Sequence, residues 1–363
     1  MDINLIDQQI IDSFFKYYKK DVKIIQPQEF RILKEKISQN LQKIIGLPDA
    51  KELLLKGFSD YNFCFFHVVA KFGKVEELKS AIDVIGIENL NVFDINKYTA
   101  LHHCSISGRV ENVKVLIGYG ANINAQSSDE TRNWLPIHYA SKFGYKEIVE
   151  EFIEAGVDKE ITTSFGLTPL HVSAEFGSFE VAKYLTSIKC NLNAETIPEN
   201  QRLTPLHFAS IGDFYDIAVL LITSGADRNK RNGSGDNSLI MATKRNHIKI
   251  CQYLAVCGLE ELDLAYEIAK EKNFRELVIV LKDFIDAKDK LFNEFELTRI
   301  ELPEVDFKVV CSKGTYIRSL AFDFGEALNS GAYLMSLCRT KIGDFDLTNA
   351  MTIEECLNVI STS

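Results

Sequence analysis

The string Thr-Pro-Leu-His-Phe-Ala-Ser at 204–210 recurs upstream as Leu167-Thr168-Pro169-Leu170-His171, Pro136-Ile137-His138-Tyr139-Ala140 and Thr99-Ala100-Leu101-His102. Its histidines, His102, His138, His171 and His207, are separated by 36, 33 and 36 residues. A period in that range confines a chain to a stack of small helical units, because one such unit cannot bury its apolar face alone. A stack of this kind presents a surface rather than a reaction centre.

Each unit has a physical plan. Thr204-Pro205 begins a first helix, where proline's missing N–H is not needed. Gly212 ends that helix, and Ile217, Ala218, Leu220, Leu221 and Ile222 give the second helix its apolar stripe. Gly225 closes it at an expected left-handed cap, and an exposed turn runs to Gly235-Asp236. Phe66 to Gly73 reads as an opening unit whose second helix starts at Val75. Asn237 to Gly258 is a fifth unit with Ile240 in the histidine's place, and Leu264 to Phe284 is a degenerate one.

The Thr-Pro-Leu-His start, the mid-unit glycine and the Gly-Ala-Asn/Asp ending resemble ankyrin repeats. That resemblance implies L-shaped units of two antiparallel helices with a projecting turn, stacked into a curved solenoid. It also implies protein binding through turn tips and inner-helix faces. The expected fold is mainly α: an ankyrin-repeat solenoid of about six units over 63–285, an N-terminal helical segment over 1–62, and a small α/β segment over 286–363. Before Phe63, the stripe Phe30, Leu33, Ile37, Leu41 and Ile44 suits a helical cap over the first repeat, with a separate peptide-binding bundle as the alternative.

Composition narrows the function. A formal charge of -10 opposes casual phosphate binding. Cysteines at 64, 104, 190, 251, 257, 311, 338 and 356 form no CxxC pair, so reduced thiols and a cytoplasmic location are expected. The N-terminus lacks a signal-peptide core, and no apolar run reaches membrane-spanning length. Ankyrin scaffolds of intracellular bacteria often act on host proteins, which leaves secretion into a host cell open. His67, His102, His138, His171 and His207 sit at one place in successive units, so they read as structural residues that tie neighbouring turns, and no metal or cofactor is expected. His103 is extra and expected to be exposed.

A protein partner would meet the turns, so the candidate contacts are Tyr98, Arg132, Trp134, Phe165, Arg202 and Arg231. Arg132 and Trp134 stand out because Trp and Arg dominate interface hot spots, although Trp134 could equally pack against the next turn. The turns at Ser127–Asn133 and Thr196–Gln201 are longer than their peers, and extra loop length often marks a binding face.

After Phe284 the text changes. Phe295–Ile300 and Phe307–Ser312 alternate like strands, Gly314 breaks the second, and Thr315–Leu328 carries a helical stripe. Val310-Cys311-Ser312-Lys313-Gly314-Thr315-Tyr316-Ile317-Arg318-Ser319-Leu320, followed by Asp323-Phe324-Gly325, Leu337-Cys338-Arg339-Thr340 and Gly343-Asp344-Phe345, resembles the late block of the TruB family of tRNA pseudouridine synthases. The resemblance covers about 292–356. It implies a place for Arg318 near a catalytic aspartate, for Leu337 in a base pocket, and for Lys313 and Tyr316 close by. The family isomerises a flipped uridine in the T-stem loop of tRNA, with an aspartate in a Gly-x-Leu-Asp segment. No such segment occurs in this sequence, and no catalytic residue is assigned. From Leu291 onward, six Lys/Arg face eleven Asp/Glu, a balance that argues against an isolated RNA-binding module. The tail either packs on the last repeat or is a misfused remnant.

Overall fold

The computed structural model describes residues 26–58, 63–128, 133–257 and 261–293, with short strands beyond. The chain divides into two compact bodies, Met1–Ile250 and Cys251–Ser363.

The first body opens with α1 (Pro27–Ile45) and α2 (Ala50–Leu55), then a two-residue-per-strand hairpin of β1 (Gly57–Phe58) and β2 (Phe63–Cys64). Leu33, Ile37, Leu41 and Ile44 of α1 are buried, and α1 packs against the first helix pair, α3 (Phe65–Phe72) and α4 (Val75–Ile85). Further pairs follow: α5 (Ala100–Ser107) with α6 (Val110–Gly118), α7 (Pro136–Lys142) with α8 (Lys146–Glu154), α9 (Pro169–Phe176) with α10 (Phe179–Ser187), and α11 (Pro205–Ile211) with α12 (Tyr215–Thr223). Next come α13 (Ser238–Lys244) and α14 (Ile248–Cys257). Each of α3, α5, α7, α9 and α11 packs on the next inner helix, and the outer helices α4, α6, α8, α10 and α12 stack in a parallel row. The result is helical repeat packing of the solenoid kind.

The inner helices are short and nearly wholly buried, whereas each outer helix buries one stripe, such as Ile148, Val149 and Phe152 of α8. Gly225 adopts φ 100°, as its sequence position predicts, and Gly120 and Gly156 do the same. In the repeat between them and Gly225, Lys189 holds the equivalent left-handed place at φ 58°. Gly177 adopts φ 74°, and a Cβ there would also collide with the ring of Phe214, so this position needs glycine on two counts.

The histidine series explains the stacking. Thr168 caps α9 with its Oγ1, which accepts the His171 N–H. His171 Nδ1 accepts the Thr168 backbone N–H at 3.1 Å and lies 2.9 Å from its hydroxyl. Nε2 reaches the carbonyls of Ala194 and Leu203 in the next repeat, at 3.0 and 3.1 Å. The ring therefore accepts at Nδ1 and donates at Nε2, which fixes the neutral tautomer. His138 repeats this with Leu135 N–H and the carbonyls of Ile161 and Leu167. His102 reaches the Trp134 carbonyl at 3.2 Å and His67 that of Val92 at 3.0 Å. Burial pushes His138 and His171 down to about 4.

His103 departs from its expectation: it is fully buried, with Nε2 3.2 Å from Asp94 Oδ2. The long link after α4 carries Asp94 over α5, and the carboxylate gives the ring a partner inside.

In the second body, α15 (Leu262–Glu271) packs on α16 (Arg275–Asn293), burying Leu262, Ala265, Ala269, Leu277 and Leu281. Strands β3 (Phe295–Glu301) and β4 (Glu304–Val309) pair antiparallel with a register irregularity at Leu297/Arg299. Four two-residue strands follow: β5 (Ser336–Leu337), β6 (Lys341–Ile342), β7 (Phe345–Asp346) and β8 (Met351–Thr352), paired β5 with β8 and β6 with β7. The helix read at Thr315–Leu328 lies outside the described residues.

Two outcomes follow from the capped, neutral imidazoles. A folded-state value near 4 lies below the ordinary ~6.5, so this contribution to stability is complete above ~6.5 and is lost as pH falls toward 4. Melting temperature followed by circular dichroism should fall as pH drops across that window; an unchanged value at pH 4 would contradict the neutral tautomer of His138 and His171. Thr168→Val, which removes the cap oxygen, should cost about 1 kcal/mol in urea unfolding.

Candidate docking surface

The projecting turns share one construction. In each, a buried oxygen-bearing side chain accepts backbone N–H groups from the far side of its own turn. Asp94 takes those of Asn96 and Tyr98, Ser127 that of Trp134, and Thr163 those of Phe165 and Leu167. Thr196 takes that of Leu203, and Asn232 those of Ser234 and Asp236. A backbone bond closes each turn, for example Thr163 N–H to Leu167 O at 3.0 Å. Sequence reading missed this series because Asp, Ser, Thr and Asn share only an acceptor oxygen; spacings of 33 and 36 residues were the available signal.

Neighbouring turns are also joined tip to tip. Ser128 N–H reaches Asn96 O at 2.8 Å, Ile197 N–H reaches Phe165 O at 3.2 Å, and Gly233 N–H reaches Gln201 O at 2.6 Å. The tips thus form a semi-rigid edge, a good platform for recognition.

Two expected contact residues are core residues. Tyr98 is 1% exposed; its ring stacks on His102 at 5.6 Å, and its hydroxyl accepts from Tyr139 at 3.0 Å. Trp134 is 4% exposed, with Tyr139 at 5.2 Å and Phe176 edge-on at 6.1 Å. Both stand immediately before an N-cap, at the position held by Leu167 and Leu203 in other repeats, where a side chain turns inward. Alignment on the caps identifies them as core. Phe165 is half-buried, while Arg202 and Arg231 are exposed. Arg132 lies outside the described residues, as do Lys313, Tyr316 and Arg318. Leu337 lies in β5, opposite Met351.

The structure does bring Arg202 and Arg231 together. They line a groove of ≈ 670 Å³ between two adjacent turns, with Glu195, Asp227, Asn229, Lys230 and Gly233. Lys230 pairs with Glu195 at 2.8 Å, and Arg231 Nη1 donates to Gly235 O at 2.9 Å. One inner-helix feature was not anticipated: Phe176 is 38% exposed, and the Lys142 ammonium sits 4.7 Å from its ring centre. Among the described residues, no group of three or more His, Cys, Asp or Glu could hold a metal ion, and no helix is long and apolar enough to cross a membrane.

Burial of Trp134 has a measurable consequence. Trp134→Ala should destabilise the protein by about 3–5 kcal/mol in urea unfolding, the range for an aromatic core truncation. A loss under about 1 kcal/mol would return Trp134 to the surface.

Comparison with known proteins agrees with both halves of this picture. Family models described as Ankyrin repeats (3 copies) match residues 128–196 and 188–266, and one described as Ankyrin repeats (many copies) matches 101–153. The chain is also 64% identical over 69 residues to tRNA pseudouridine synthase B of Flavobacterium johnsoniae, covering 19% of this chain and 30% of that protein. It is 47% identical over 90 residues to that of Phocaeicola vulgatus (25% and 35%) and 47% over 68 residues to that of Clostridium tetani (19% and 23%). The chain therefore spans about a third or less of the length of these relatives. Residues 101–266 are ankyrin repeats, and the chain further carries a segment homologous to a fragment of the TruB-family tRNA pseudouridine synthases.

Proposed function

We propose that this chain is a TruB-related RNA-binding protein whose ankyrin repeats dock a protein partner. The supporting observation is the 64% identity over 69 residues with a tRNA pseudouridine synthase B. In this reading, residues 286–363 form a small α/β segment, 63–285 are the docking repeats, and 1–62 cap them. Arg318 and Lys313 would neutralise phosphate, Tyr316 would stack on an unpaired base, and Leu337 would line the base pocket. Uridine isomerisation by this chain alone is not part of the proposal, because the sequence contains no Gly-x-Leu-Asp segment.

The reading has to overcome charge. The tail is acidic, with six Lys/Arg against eleven Asp/Glu, so affinity would rest on few cationic contacts and be modest, with a shallow salt slope. Protein docking by the repeats would add affinity by tethering RNA and protein partner together. The exposed, bonded row of turn tips supports that docking role.

A labelled T-stem-loop RNA and the full chain test the proposal by fluorescence anisotropy. Binding should be saturable, and Lys313→Ala with Arg318→Ala should weaken it about tenfold or more and shallow the salt slope by about two. No binding at low salt would refute the RNA reading. Uridine turnover on the same RNA, abolished by Arg318→Ala, would refute the exclusion of catalysis.

A further inference from the structure

The geometry points to the groove between the 195–203 and 227–236 turns as a site for an acidic peptide segment of a partner protein, with Arg202 and Arg231 each receiving a carboxylate. This inference rests on the docking role proposed for the repeats, and it uses none of the tail residues.

The two turns are held at fixed separation. Gly233 N–H donates to Gln201 O at 2.6 Å, and a Cβ on Gly233 would come within 3.3 Å of the Gln201 backbone. The join is therefore tight at this glycine, and a groove of ≈ 670 Å³ lies beside it. Gln201 and Arg202 both have positive φ, 65° and 51°. Two consecutive non-glycine residues in the left-handed region are unusual, and strain of this kind gathers at binding sites.

Charge selects the occupant. Lys230 is committed to Glu195 at 2.8 Å, and Asp227 accepts the Asn229 N–H at 2.9 Å. Arg231 is anchored by its bond to Gly235 O, which orients the guanidinium. Arg202 is exposed and forms no ion pair among the described residues. The groove thus offers two exposed guanidiniums in a protein of net charge -10. A guanidinium fork matches a carboxylate in bidentate fashion. A short acidic segment engages the two arginines alone, whereas a nucleic-acid strand would extend its phosphates over a chain of net charge -10.

The test uses the full chain and a fluorescein-labelled synthetic peptide of repeating Glu-Gly units, read by anisotropy. Saturable binding is expected, weakened about tenfold by Arg202→Glu and by Arg231→Glu, and within about twofold of the parent for Lys183→Glu on an outer helix. Thermal melts check each variant's fold, and Arg202→Gln with Arg231→Gln replaces any reversal that unfolds. Absence of saturable binding, or an equal loss in Lys183→Glu, overturns the inference. So does a single-stranded RNA that binds more tightly than the peptide through the same two arginines. The Lys313 and Arg318 variants should leave peptide binding unchanged, so failure here and failure of the RNA reading are separable.

Discussion

The imidazole at the start of the inner helices α3, α5, α7 and α9 bonds two repeats at once, and the stack depends on it. One nitrogen satisfies the N-cap backbone of its own helix, and the other donates to a carbonyl in the next repeat. A short helix gains little from propensity and must be closed by caps and neighbours. Histidine does both jobs with one rigid ring, provided it stays neutral. Threonine completes the arrangement by accepting the histidine's own N–H. A metal-binding reading of these rings fails on the same geometry, since both nitrogens are already engaged in hydrogen bonds.

That recurrent ring made the helical stack legible in the sequence. Its spacing, the mid-repeat glycines and the Gly225 cap all predict features found in place, including the second helix starting at Val75. What was harder to read was the inward or outward sense of single residues. Tyr98 and Trp134 sit in turn text, and turns are usually surface, yet both occupy the place before a cap that points into the stack. His103 was misplaced for a related reason: its partner Asp94 lies in the preceding link, and nothing local announces a buried pair. Non-local partners decide burial, and periodicity reports only local structure.

The turn acceptors show the opposite limit. Asp94, Ser127, Thr163, Thr196 and Asn232 perform one task with four residue types. The physical requirement is an oxygen at a given depth, so identity matching overlooks the series even though its spacing is regular. The pseudouridine-synthase segment was legible for the contrary reason, since a long ordered string of identical residues needs no structural context to be recognised.

In a linear stack, the strength of each interface is set mainly by contacts between immediate neighbours. Interfaces near the beginning have the imidazole tie and, at Tyr98 and Trp134, large aromatic packing. Toward residue 240 both devices thin out. His207 still bonds its own cap, whereas Ile240 replaces the ring and leaves Asn237 to cap α13 alone. An inner helix without the ring loses one of the bonds that close it, so α13 should open before the earlier inner helices. The groove carrying Arg202 and Arg231 lies just before α13, between the turns at 195–203 and 227–236. Those turns stay joined by the Gly233–Gln201 backbone bond and the Lys230–Glu195 ion pair, so the two guanidiniums are presented from the rigid side of that boundary.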